Sequence, residues 1–332
     1  MSNCPQHPRR TAVALAAALA IAALLGVPLA GSAVAADLAV VATSKPIHSL
    51  VAAVMGSTGS PKLLVDGNAS PHTYAMKPSD AKAVHQSKVL FRVSEGLEPF
   101  TGKLVKSLPR SVIVVSLQDA PGITLLDRRK GGAFETHAHA TSKKGHAHDD
   151  HDDEHDAQAG TDPHVWLDPA NARAMVDHIA ATLATANPAD AAAYKANADT
   201  VKSGIAALAD ELTRDLAPLA GRPFVMFHDS MQYFERRFGL ASAGTITVSP
   251  EVQPSAKRLN AIRAKIGQLA AVCVFAEPQF KSKLVETVVE GTSAKTGTLD
   301  PEGGLLTAGP GLYPALMRAL ARNLASCLAG AS

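Results

Sequence analysis

The chain has 332 residues, 46% of them hydrophobic and 19% charged, with a formal net charge of +2. That length suits one large domain or two lobes of ordinary size. The near balance of 32 Lys+Arg against 30 Asp+Glu leaves no electrostatic footprint for nucleic acid or an anionic membrane surface.

Residues 1–36 read as a cleaved signal peptide. Arg9 and Arg10 precede an uncharged Ala/Leu-rich run, Thr11–Ala30, and the small residues Ala33, Val34, Ala35 and Ala36 lead to Asp37. A positive start, an apolar middle and a small-residue junction mark an exported protein. A membrane anchor is the alternative, because the run is nearly long enough to span; Gly26, Pro28 and the Ala-x-Ala pattern argue against it. No cysteine stands at the junction to accept a lipid. Cys4 leaves with the leader, so Cys273 and Cys327 form an even pair in an exported chain. A disulfide between them is expected, with two buried thiols as the alternative.

Strand-like apolar runs then alternate with helical ones. "LAVVATS", "PKLLVD", "KVLFRVS" and "SVIVVSL" come first, separated by helical stretches near 47–55, 78–87 and 98–107. "RPFVMFHD", "AGTITVS", "AVCVFAE" and "AKTGTLD" follow later, with helices near 231–238, 254–269, 282–291 and 314–328. Such alternation predicts α/β architecture with parallel sheets covered by helices. Two sets predict two lobes: 37–188, including a loop over 128–160, and 218–332. A helix over 189–217 links them; at 1.5 Å per residue it would reach about 40 Å.

Six of the thirteen histidines (His137, His139, His146, His148, His151 and His155) are packed into "HAHATSKKGHAHDDHDDEH". Acidic residues are interleaved with them and apolar ones are nearly absent, so this segment cannot bury enough surface to order itself. It is expected to hold metal weakly, since its ligands must be ordered on binding.

A tighter site is expected at strand ends, because ligands of open α/β sheets lie beyond the carboxyl ends of the strands. His228 ends "RPFVMFHD" and Asp300 ends "AKTGTLD"; His72 follows "PKLLVD", and His164 lies in "TDPHVWLDP" where a helix begins. Three imidazoles and a carboxylate make a tetrahedral set suited to Zn2+, whereas manganese would favour more oxygen. Glu277, after "AVCVFA", is a candidate for hydrogen-bonding a ligand from behind or for partnering the helix that follows, and His48, at the first helix start, is placed to line the cleft beside the ligands.

"GNASPHTYAMKPSD", "DPHVWLDP", "FVMFHDSMQYFERRFGL", "TVSPEVQPSAKRLNAIR", "CVFAEPQF" and "GTLDPEG" resemble the zinc-binding periplasmic receptors of ABC transporters, the ZnuA type. The resemblance covers nearly all of the chain after the leader, and an acidic His-rich insertion before "DPHVWLDP" is typical of that family. It implies two α/β lobes joined by a rigid helix, metal in the cleft, and delivery to an inner-membrane permease driven by a cytoplasmic ATPase. Periplasmic zinc chaperones are further candidate partners, and a monomer is expected. By matching motifs, His72, His164 and His228 take the places of the family's three histidine ligands, and Cys273 and Cys327 match a pair that forms a disulfide. The fourth ligand differs among members. Pro71 stands where some carry a glutamate, which favours Asp300, with water as the alternative. His228 stands where manganese and iron receptors often carry glutamate, which favours zinc.

Other readings are an exported zinc-dependent hydrolase, a manganese receptor, or an adhesin on the same scaffold. The chain has no His-Glu-x-x-His or Gly-x-Ser-x-Gly motif, so no enzyme activity is expected.

Overall fold

A computed structural model of the chain describes residues 38–129, 160–247, 249–268 and 273–329. The expected signal peptide and the histidine run His137–His155 lie outside the described residues. No helix among the described residues is long and apolar enough to cross a membrane.

The first sheet contains β1 (Val40–Ala42), β2 (Lys62–Leu63), β3 (Val89–Arg92) and β4 (Ile113–Ser116), all parallel in the order β2-β1-β3-β4. Between these strands run α1 (Lys45–Met55), α2 (Pro78–His85) and α3 (Thr101–Ser107). Two helices follow: α4 (Pro169–Ala186), stopped at Asn187-Pro188, and α5 (Ala191–Leu216). The second sheet contains β5 (Phe224–Met226), β6 (Gly244–Thr245), β7 (Cys273–Ala276) and β8 (Lys295–Thr298), again all parallel, in the order β6-β5-β7-β8. Its helices are α6 (Gln232–Phe238), α7 (Ala256–Gln268), α8 (Lys283–Val289) and the closing α9 (Leu312–Leu328). The two sheets therefore repeat one strand order. In each, the connection reverses direction beside the first strand, which opens a crevice at the carboxyl ends of β1/β3 and of β5/β7.

Sequence explains the local choices. β1 and β5 are buried at every residue and uniformly apolar, as central parallel strands with helices on both faces must be. Gly297 on β8 lies opposite Phe275 on β7, where a Cβ would come within 2.6 Å of the Phe275 ring. Only glycine admits the ring there. α5 carries one apolar stripe: Tyr194, Ala198, Ile205, Leu208, Leu212 and Leu216 are buried, and the opposite face is charged. The stripe packs on α4 and α1 of the first lobe and on α9 of the second.

The helix joining the lobes is thus part of a shared core. One hydrophobic cluster contains Val40 and Phe91 from the first sheet, Leu208 and Leu212 from α5, Phe224 and Phe275 from the second sheet, and Leu316 and Leu320 from α9. Each such side chain stabilises by about 1.5–3 kcal/mol on burial. Polar crossings reinforce it. The hydroxyl of Ser49 on α1 donates to Pro310 O (3.1 Å) and accepts from the Tyr313 amide (2.9 Å). The buried Lys45 ammonium donates to Gly304 O (2.8 Å) and Leu306 O (2.9 Å). The expected disulfide is present: Cys273 on β7 is bonded to Cys327 on α9, with Cα atoms 6.2 Å apart. It closes a loop of 54 residues, which on a chain-entropy basis contributes about 4 kcal/mol by restricting the unfolded chain.

Candidate metal centre

His72 and His164 reach the cleft by the same local device. Each follows a proline, and each has its amide N–H capped by the residue before that proline: Ser70 Oγ accepts from His72 N (3.3 Å), and Asp162 Oδ1 from His164 N (3.0 Å). The proline fixes its own φ and holds the preceding residue extended, so the cap reaches forward and the turn aims the imidazole. After His164 a short 3-10 turn, Val165–Leu167, carries the chain to Asp168, whose carboxylate caps α4 at Ala170 N (2.8 Å) and contributes about 1 kcal/mol. Trp166 lies buried in that turn, donating from Nε1 to Pro301 O of the other lobe at 3.1 Å. His228 needs no turn. It lies two residues beyond β5, and its amide donates to Glu277 Oε1 (3.2 Å) just past the neighbouring β7.

The three rings converge. One ligand nitrogen from each of His72, His164 and His228 lies within 4.8 Å of the others, the one such group of three among the described residues. His164 Nε2 is 3.3 Å from both His72 Nε2 and His228 Nε2. Three nitrogens bound to one zinc at 2.0–2.1 Å in tetrahedral geometry would be about 3.3–3.4 Å apart. The far side of each ring faces a carboxylate: His164 Nδ1 to Asp162 (2.7 Å), His228 Nδ1 to Glu277 (2.6 Å) and His72 Nδ1 to Glu251 (3.3 Å). A carboxylate behind Nδ1 favours the tautomer with the proton there and leaves the Nε2 lone pair directed at the centre. Three lone pairs pointing at one spot repel unless a cation lies between them.

The charge states are set by burial and by these partners. Burial lowers the pKa of His72 and lowers that of His164 further, and neighbouring imidazoles add to it. Burial also disfavours charge on His228, but the Glu277 carboxylate, with Asp229 and Glu251 behind it, outweighs burial and raises that pKa. Asp162 is pushed up to about 7, chiefly by burial. Two of the three rings are thus held neutral and ready to donate a lone pair, and the third holds a proton more firmly than an ordinary histidine.

Asp300 and His48 are not part of this group of three. Asp300 Oδ1 accepts from Gln279 Nε2 (2.7 Å) and its Oδ2 from the Leu305 amide (3.1 Å), so both oxygens are engaged. His48 is buried, but its Nε2 lies against Pro61 O (3.0 Å), and its Nδ1 has no hydrogen-bond partner among the described residues. It meets the edge of the first sheet, not the imidazoles. Conversely, Asp162 and Glu251 were not anticipated from the sequence. The spacing Asp-Pro-His was a usable signal for Asp162, since a short acidic side chain two residues ahead caps the following amide. No spacing ties Glu251 to His72, which lies on the other lobe.

Fold and centre together define a class: two-lobed α/β proteins with a metal-capable histidine cluster where the lobes meet. The family described as "Zinc-uptake complex component A periplasmic", ZnuA, matches residues 40–327, and the chain belongs to it. The "High-affinity zinc uptake system protein ZnuA" of Brucella abortus (strain 2308) is 45% identical over 304 residues, covering 87% of this chain and 91% of that one. A solved structure, "Crystal structure of ZnuA", matches with a TM-score of 0.69 and 25% identity over 86% of this chain and 98% of its own. The fold is shared more widely: FpvC of Pseudomonas aeruginosa, solved with Mn2+, gives a TM-score of 0.72 at 20% identity, covering 90% of this chain and 100% of its own.

Proposed function

We propose that this protein captures Zn2+ in the periplasm with high affinity and delivers it to an inner-membrane ABC permease for uptake. Zinc is the cargo, held by the Nε2 atoms of His72, His164 and His228. The observation that carries this reading is the pair of 3.3 Å Nε2 separations with a carboxylate behind every ring. Membership of the family and the name of the Brucella abortus relative support the transport role. Three imidazole nitrogen donors suit zinc better than manganese. Asp300 is proposed as the fourth ligand, which requires it to exchange its bonds to Gln279 and Leu305 for the metal; water is the alternative. The exported-hydrolase reading needs a free general base at the centre, whereas Asp162, Glu251 and Glu277 each serve an imidazole. The run His137–His155 is proposed as a weaker gathering site.

Titration calorimetry with zinc and with manganese tests the reading. One tight zinc site, much weaker manganese binding, and unchanged tight binding after deletion of the run are expected. Equal affinity for the two metals, or loss of the tight site with the run, overturns it. Asp300→Ala should weaken zinc; an unchanged Kd would return the fourth position to water.

A further inference from the structure

The three imidazoles are not supported alike. Asp162 sits two residues before His164, and Glu277 follows the strand beside that of His228, so each of these pairs lies within one lobe. Both carboxylate side chains are almost fully enclosed, at 2% and 4% exposure. His72, of the first lobe, takes its carboxylate from the second. Glu251 places Oε1 3.3 Å from His72 Nδ1, and its side chain is 37% exposed.

The segment carrying Glu251 is built to hold it there. Ser249-Pro250-Glu251-Val252 forms a turn closed by the Val252 amide donating to Ser249 O (3.2 Å), with proline at the second position, where its fixed φ suits such a turn. The Thr247 hydroxyl, just past β6, lies 2.7 Å from Ser249 O and 2.9 Å from Val252 O, tying the turn to the end of the sheet. Glu251 thus stands third in a tethered turn and reaches across the cleft. Two other contacts cross between the lobes nearby: Asn68 Nδ2 donates to Pro278 O, and a Cβ on Gly304 would come within 2.6 Å of Asn68 Oδ1.

We propose that Glu251 is a positioning residue for His72 and an interlobe latch that the bound cation itself tightens. The inference rests on the reading of the three histidines as the zinc site. A cation on Nε2 draws electron density from the ring, which makes Nδ1–H a stronger donor and its bond to the carboxylate charge-assisted. For His164 and His228 that gain stays within one lobe. For His72 it is made between lobes, so loading stiffens the cleft and opening the Glu251 bond frees His72. The longest and most exposed of the three contacts is therefore the one that governs how long the metal stays.

The test is a double-mutant cycle on the full chain, with Glu251→Ala, His72→Ala and both together. Zinc release is followed after mixing loaded protein with excess chelator, and Kd is measured by chelator competition. Glu251→Ala should release zinc roughly tenfold faster, the usual scale for losing a partner behind a metal-bound histidine, with the association rate unchanged. Glu251→Gln, which keeps an acceptor oxygen without its charge, should fall between. In the His72→Ala background, Glu251→Ala should have no further effect on Kd, because it acts through that ring. Unchanged release in Glu251→Ala, or the same factor in both backgrounds, overturns the inference. Wild-type affinity in His72→Ala would instead sink the three-histidine reading itself, so the two failures are distinguishable.

Discussion

The two lobes repeat one strand order but present their imidazoles differently. In the second lobe, His228 stands just past a central strand, its ring and amide both held by Glu277 from the adjacent strand end. In the first lobe, His72 rides on a turn after the edge strand β2, with a partner borrowed from across the cleft. His164 is intermediate, on a turn but enclosed and backed by its own Asp162. Identical topology therefore yields one rigidly held imidazole and one adjustable one. The difference lies in which residue fills the space behind each ring.

That contrast sets the order of expected effects. On the proposed reading, removing the rigidly held imidazole, by His228→Ala, should cost most zinc affinity. Structural zinc sites bind with about 10–16 kcal/mol in all, so one ligand of four carries about 3 kcal/mol, or roughly a hundredfold in Kd. His72→Ala should cost less, because a water can enter on the exposed side. Competition titration of both variants checks the ranking, and an equal loss would remove the distinction drawn between the lobes.

Glu277→Gln comes next, with a loss of 10–100-fold. The same substitution should have an opposite signature in pH. If zinc is held as proposed, it needs the lone pair on His228 Nε2, and a proton competes for it below the pKa of that ring. Glu277 raises that pKa above 6.5, so wild-type affinity should start to fall at a higher pH than for an ordinary histidine. His72 and His164, with lowered pKa values, join only in more acidic solution. Without the Glu277 carboxylate, the onset should move to lower pH although affinity at pH 8 is weaker. A Kd series from pH 5 to 8 on both proteins reads this smallest effect; onsets that coincide would show that His228 is not the first to be protonated.

Much of this arrangement was legible in the sequence, for identifiable reasons. Each of the eight runs contains a strand, and β1, β3, β5 and β7 were the plainest because buried parallel strands need nearly continuous apolar residues; β2, β6 and β8 are short or polar and were marked by the alternation around them. The stop of α4 at Asn187-Pro188 and the span of α5 follow from the proline and from an unbroken helical stripe. His228 could be singled out because it stands just past a strand end, where such folds present ligands, and His72 and His164 because their loop motifs match those of the family. The supports behind them were harder to read. Glu277 follows a strand and was visible for that reason; Glu251 sits in a turn with no periodicity, and only tertiary folding brings it to His72. The orientation of Asp300 was hidden as well, since its bonds to Gln279 and Leu305 depend on how two loops meet.

The core cluster shared by both sheets, α5 and α9 has a thermodynamic consequence. Neither lobe owns all the apolar surface that its inner face buries, so heat cannot melt one lobe and leave the other's core intact. The described body should therefore unfold as one cooperative unit. A ligand that binds only the folded form adds RT ln(1 + [L]/Kd), about 2.7 kcal/mol at a hundredfold excess over Kd. A cation held by three side chains at the edge of this core would thus protect both lobes together, and cargo loading would be felt as heat resistance along the whole length of the body.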